Sequence, residues 1–311
     1  MTSLFSLVKR NIKLFCRDKL TMFFSLLAPL ITLMLFILFL RQVQIDSVGH
    51  FLEGFGVTGV NQLYINGVVH GWFLSSVLAV SLISVGLSFY YIMVRDKEYN
   101  IISDFLATPV SKNTVKLSYF LSAVIVNIVV GLIIFALGII YLLITKTMFL
   151  TFVDILLTIC NIILSSISAC LIMMLIASLF DKESQLGGFT GIMSSLVGFI
   201  IGAYMPVSTF PTPIQYVIGL VPGTYSAGIF RNILMHGALE KMSNIDASAL
   251  NAIKAYFGTD VNFFGLSISY GMCYLFLAVS IVIVAVVAFL VFKYGKKRAP
   301  RLKKTAIAKA K

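Results

Sequence analysis

Six stretches of this chain are apolar for roughly 20 residues or more, each long enough to cross a hydrocarbon core of about 30 Å. They fall at about 20–40, 68–94, 117–144, 152–180, 186–204 and 266–292. In lipid the backbone must satisfy its own hydrogen bonds, which a helix does within one segment. The expected fold class is an all-α polytopic membrane protein with six transmembrane helices. Charged residues are only 12% of the chain, against about 25% in soluble domains, and they concentrate between the spans. The N-terminus is not read as a cleavable signal. Bases recur through Lys19, the following apolar run is too long, and no small-x-small site follows it.

The net charge of +12 raises the question of nucleic acid, but the bases flank the spans and so report topology and anionic lipid. The N-terminus, the 95–116 region, the 181–185 turn and the tail together hold 19 Lys and Arg, and the opposite side holds five. That asymmetry predicts both termini in the cytoplasm, the N-in/C-in arrangement that an even number of crossings requires.

Residues 1–19 read as an interfacial amphipathic helix. Leu4, Val8, Ile12 and Phe15 share a face with Phe5 and Cys16, and Lys9, Arg10, Lys13 and Arg17 form a basic arc toward headgroups or a partner. Pro29 is a tolerated kink in span one, and a polar loop is expected from 41 to about 64. Between spans two and three lies RDKEYNIISDFLATPVS, 95–111, the longest polar run on the cytoplasmic side. It reads as a surface helix of about ten residues, roughly 15 Å long, with Ser111 capping the next helix. Ile101, Ile102, Phe105 and Leu106 form its apolar face; Lys97, Glu98, Asn100 and Asp104 form its polar one. A solvated connector is the plainer reading of the same residues.

The segment 205–265 holds Pro206, Pro211, Pro213 and Pro222, and its apolar pieces are too short to span. It is expected to form external re-entrant or interfacial helices, with a small helix capped by Asp246 and ended by Gly258. Span five carries Gly187, Gly191, Gly198 and Gly202 on nearly one stripe, for intrachain packing, a dimer seam or a pathway wall. In span two, Ser81, Ser84 and Ser88 suit either a moderately polar route or ordinary packing. Asn127 and Asn161 are expected to glue spans three and four. The tail, 293–311, is basic and expected to be disordered.

No GxxxxGK[ST] phosphate loop, HExxH, metal-ligand cluster or nucleophile elbow occurs, and no CxxC pair arises among Cys16, Cys160, Cys170 and Cys273. The chain is therefore not expected to be an enzyme or to bind a cofactor itself. All three histidines, His50, His70 and His236, fall outside or at outer span ends. No acid lies deep in a span, whereas ion-coupled carriers keep ionisable groups near the midplane. Energy must come from elsewhere, or the protein is a passive channel or a scaffold.

Three features together resemble the ABC-2 type permeases, the membrane subunits of ATP-binding-cassette exporters. The first is Leu106-Ala107-Thr108-Pro109-Val110-Ser111 following the charged Arg95-Asp96-Lys97-Glu98. The second is the proline-rich segment with Met205-Pro206, Phe210-Pro211 and Leu220-Val221-Pro222, then Tyr225 and Arg231. The third is the basic amphipathic helix ahead of span one. The chain departs from the family where many relatives carry Gly-Thr-Leu-Glu; here Asn100, Ile101, Ile102, Ser103 and Asp104 stand. Its external loop between spans one and two is short, and 240–262 is longer than usual.

The resemblance implies a transmembrane domain, 20–292, working in the plasma membrane of a bacterium. It would pair with a second permease chain, identical or homologous, and bind two cytoplasmic ABC ATPase subunits that hold ATP and Mg. A coupling helix at about 96–109, with Lys97, Glu98, Ile101, Ile102, Asp104, Phe105 and Leu106, would meet the ATPase, and the N-terminal helix would rest on it too. Spans two and five would face the pathway, and Pro206, Pro211 and Pro222 would mark an external gate segment. The exported substrate would be an amphiphile such as a drug, peptide or lipid-like molecule.

Overall fold

A computed structural model describes residues 2–294. The expected basic tail lies outside the described residues apart from its first two positions. Helices dominate, and five of them are long and apolar enough to cross a membrane by length and composition. The chain runs α1 (Thr2–Arg17), α2 (Lys19–Ser25), α3 (Leu27–Leu35), a π-helical turn (Phe36–Leu40) and α4 (Arg41–Gly54). It continues through α5 (Gln62–Phe89), α6 (Tyr91–Glu98), α7 (Ile101–Leu106), α8 (Lys112–Ile144), α9 (Phe152–Ser178) and α10 (Glu183–Ile200). Then follow a 3-10 turn (Val207–Thr209), α11 (Thr212–Gly219), α12 (Pro222–Lys241) and α13 (Ala247–Phe257). A two-stranded antiparallel hairpin, β1 (Val261–Phe263) and β2 (Leu266–Ile268), precedes α14 (Tyr270–Tyr294).

Helix α5 is the hub of the bundle. It is apolar all round and nearly every residue from Val68 onward is buried, the signature of a helix enclosed by others. Helices α2, α3, α4, α8, α9, α10 and α12 pack around it. With α6 it runs 37 residues, about 55 Å at 1.5 Å per residue. That exceeds a bilayer core of about 30 Å, so the pair extends beyond it at one end or both.

Span one departs from the expected 20–40. A break falls at Leu26, one turn before Pro29. The proline has no N–H for the Ser25 carbonyl and its ring crowds that carbonyl. Beyond the π turn the chain stays helical through Gly54, where a loop was expected. Gln44, Ile45, Val48 and Leu52 bury one face of α4, and packing carries it despite its Gly residues. The segment expected as span five is α10, 18 residues long and thus about 27 Å, slightly short of a bilayer core. The strand β2 occupies the start of expected span six, and α14 begins only at Tyr270.

The proline-rich segment folds back along the bundle, with α12 packed against α5. A Cβ on Gly67 would meet Ala238, one on Gly71 the Leu234 carbonyl, and one on Gly223 the Ile83 side chain. Position falls along α5 as it rises along α12, so the two are antiparallel and their backbones touch. Asp246 caps α13 by accepting the Ser248 N–H, and Gly258, at φ +66°, ends it, as its sequence signals. Ser111 caps α8 as expected. Asn127 ties α8 to α5 by donating to the Leu82 carbonyl at 2.8 Å, and Asn161 ties α9 to α12 by donating to the Ser226 carbonyl at 3.3 Å. Asn127 also donates to the Cys170 Sγ at 3.5 Å, which joins α8 to α9 as expected; the Asn161 bond does not join them.

Candidate functional site

The C-terminal end of α6 carries Arg95, Asp96, Lys97 and Glu98. Successive helical residues turn by about 100°, so four charges in a row address four directions. Arg95 lies 3.6 Å from Asp18 at the α1–α2 joint. Asp96 is 1% exposed and accepts both Arg10 terminal N–H groups, at 2.6 and 2.9 Å, and the Tyr119 hydroxyl at 2.5 Å. Lys97 donates to the Ser178 and Phe180 carbonyls and pairs with Asp181 at 2.7 Å. Glu98 accepts the Glu183 N–H at 2.7 Å.

The last two contacts complement helix dipoles. Lys97 places its ammonium on the carbonyls at the end of α9, and Glu98 its carboxylate on the first N–H of α10. The α9–α10 turn is therefore held by neighbouring residues of opposite charge on α6. Asp96 meanwhile joins α6 to α1 and α8 through a two-pronged guanidinium–carboxylate pair, the geometry in which such pairs are strongest. That hydrogen bonding raises the Arg10 guanidinium above its ordinary pKa against the smaller opposing effect of burial.

Arg10 is thus not part of a basic arc facing headgroups. The buried face of α1 centres on Asn11, which donates to the Ser118 hydroxyl at 3.4 Å, and on Phe15, whose ring lies 5.3 Å from that of Phe89. Arg10 stands at the edge of that face and turns inward. Lys9, Lys13, Arg17, Phe5 and Cys16 are exposed, so of the expected apolar face only Phe15 is fully buried against the bundle, with Leu4, Val8 and Ile12 half-buried.

The expected ten-residue coupling helix is shorter. Asn100 adopts left-handed φ 59°, which Asn tolerates better than most residues. It separates α6 from α7, a six-residue helix about 9 Å long. Lys97 and Glu98 belong to α6, where they stay exposed while bonding within the chain. On α7, the Phe105 ring lies under the Arg10 guanidinium at 4.9 Å and packs on the core, while Ile101, Ile102 and Leu106 are half-buried. Tyr99, Asn100, Ser103, Asp104, Ala107, Thr108 and Pro109 form the exposed side. The outward face is thus polar with one large aromatic, Tyr99.

The expected pathway residues divide. Ser81, Ser84 and Ser88 are buried within the bundle, Ser81 bonding to the Leu78 carbonyl at 2.7 Å. Gly187 faces the Tyr91 hydroxyl, and a Cβ on Gly191 would meet open space. The second glycine pair is filled from within: the Tyr204 ring occupies the place beside Gly198, and Gly202, at φ +72°, forms the turn that brings it there. Pro206 precedes the 3-10 turn, Pro211 the start of α11, and Pro222 opens α12. No sequence argument singled out Asp18, Tyr119 or Asp181, because their roles appear only when distant helix ends meet. A family model described as ABC-2 family transporter protein matches residues 41–292. A search of curated proteins found no match.

Proposed function

This chain belongs to the ABC-2 family of transporter proteins, and from that premise we propose that it is the permease subunit of an exporter whose ATP is hydrolysed on separate cytoplasmic subunits. Both termini and α6–α7 lie in the cytoplasm, α10 completes six crossings, and two permease chains meet two ATPases. The exposed side of α7, with Ser103 and Asp104, together with Tyr99 at the end of α6, is the docking face. The observation that carries this reading is the distribution of the Arg95–Glu98 contacts. A push on α7 reaches α1 and α8 through Asp96, and the α9–α10 turn through Lys97 and Glu98. Displacing α10 relative to α5 would open a route for an amphiphile along the bundle.

The test begins with purification from native membranes and identification of the ATPase that accompanies the chain. A cysteine placed at Asp104 should cross-link to that ATPase in an ATP-dependent manner, and Asp104→Ala should lower transport while insertion is unchanged. Absence of any accompanying ATPase, or full transport by Asp104→Ala, would overturn the assignment.

A further inference from the structure

Two cavities share the elbow between α11 and α12. The outer one, about 460 Å³, is lined by Gln215, Arg231, Asn251, Lys254, Asp260 and Asn262 among others. Arg231 is 1% exposed. Its guanidinium donates to the carbonyls of Ile201, Gly202 at 3.1 Å and Gly258 at 3.3 Å, and its Nε has no partner among the described residues. No carboxylate pairs with it there. Carbonyl dipoles offset part of the cost of a buried cation but leave its full charge, and buried charges are normally paired. Lys254 adds a second cation without an ion pair among the described residues; Asp260, at the exposed rim, is the one acid in the lining.

The elbow itself is stapled. Thr224 donates to the Ile218 carbonyl at 2.9 Å and Tyr225 to the Gly219 carbonyl at 2.7 Å. Ile218 and Thr224 line the outer cavity, while Leu220, Val221, Pro222 and Gly223 line the inner one, about 270 Å³. Its remaining wall comes from α5, α9 and α10, including Leu82, Ile83, Met173 and Met193. It holds no charged residue; its polar groups are Ser165, Ser168 and Ser226, and the Ser165 and Ser226 hydroxyls bond each other at 2.5 Å. One cavity suits an anion and the other an alkyl chain.

We propose that the outer cavity binds the anionic head group, carboxylate or phosphate, of an amphiphile whose alkyl chain occupies the inner cavity. This names the substrate class of the proposed permease and rests on that reading for its part in transport. The binding step needs no ATPase, so its failure would leave the coupling assignment standing, and the reverse holds too.

The full chain in phosphatidylcholine nanodiscs is titrated with dodecyl phosphate, dodecanol or inorganic phosphate. The readout is the fluorescence of Trp72, the single tryptophan, whose ring lies 5.5 Å from that of Phe257 at the end of α13. Dodecyl phosphate should bind at least about tenfold more tightly than dodecanol. Lys254→Gln should weaken dodecyl phosphate about fivefold and leave dodecanol unchanged. Arg231→Gln should erase the preference for the anion, and Lys254→Gln keeps the test decisive if that variant misfolds. Equal binding of dodecyl phosphate and dodecanol, or indifference to Lys254→Gln, would overturn the proposal. Inorganic phosphate binding as tightly as dodecyl phosphate would also overturn it, by making the source a free anion.

Discussion

Replacing Asp96 with Asn removes one charge and almost no volume from a residue that touches three helices. Its carboxylate holds two N–H groups of Arg10 and the hydroxyl of Tyr119, and its side chain is 2% exposed against 29% for Arg10. Hydrogen bonds to charged groups contribute about 1.5–3 kcal/mol each. Asn keeps one acceptor, so part of the network survives, and the partly wet guanidinium recovers some hydration. The expected loss for Asp96→Asn is therefore about 2 kcal/mol; Asp96→Ala, which also strands the Tyr119 hydroxyl, should cost about 3–4 kcal/mol. A double-mutant cycle with Arg10→Gln, read by reversible unfolding in mixed micelles, isolates the pair. Its coupling should be about 2 kcal/mol, within the span known for contacting residues. Additivity to within about 0.5 kcal/mol would refute the claim that this pair joins α1 to α6.

The Lys97–Asp181 pair lies in the open, 40% and 49% exposed. Lys97→Gln should therefore cost less than about 1 kcal/mol yet reduce ATP-driven transport, measured with the partner ATPase in proteoliposomes; unchanged transport would free the α9–α10 turn of a coupling role. Phe105→Ala should destabilise by about 1–2 kcal/mol, since a half-buried ring and its contact with Arg10 are lost together; equal stability would detach α7 from the bundle. Gly237→Ala should cost about 2 kcal/mol or more, because its Cβ would fall 2.0 Å from the Phe149 carbonyl oxygen, while Gly191→Ala, with nothing within 4 Å, should leave protomer stability unchanged. Thermal melts of the two variants check this, and comparable melting temperatures would contradict the close approach of α12 to the α8–α9 turn.

What was legible in the sequence is what depends on near neighbours. The Asp246 cap and Gly258 terminus of α13 each involve bonds within a few residues, so residue type alone points to them. The apolar runs fix the existence of the long helices for the same reason. Arc membership was less secure: Arg10 belongs to the basic arc by angle, yet lies on its edge, and one deep carboxylate on another helix turns it inward. The glycine stripe shows a different limit. Its spacing leaves intrachain packing, a dimer seam and a pathway wall open; at Gly198 the chain takes the first, turning at Gly202 to lay Tyr204 against it, and spacing alone does not name that partner. The charged run of α6 carries the same lesson further. Four consecutive charges read as a solvated surface because a sequence gives their sign and not their partners. Rotation by about 100° per residue sends each to a different helix end, and the run that resembles a solvent-facing handle is bonded inside its own chain. The surface left uncommitted is the neutral and aromatic stretch beyond it, from Tyr99 to Pro109, with Asp104 as its one carboxylate; Lys97 and Glu98 border it, exposed but already bonded within the chain.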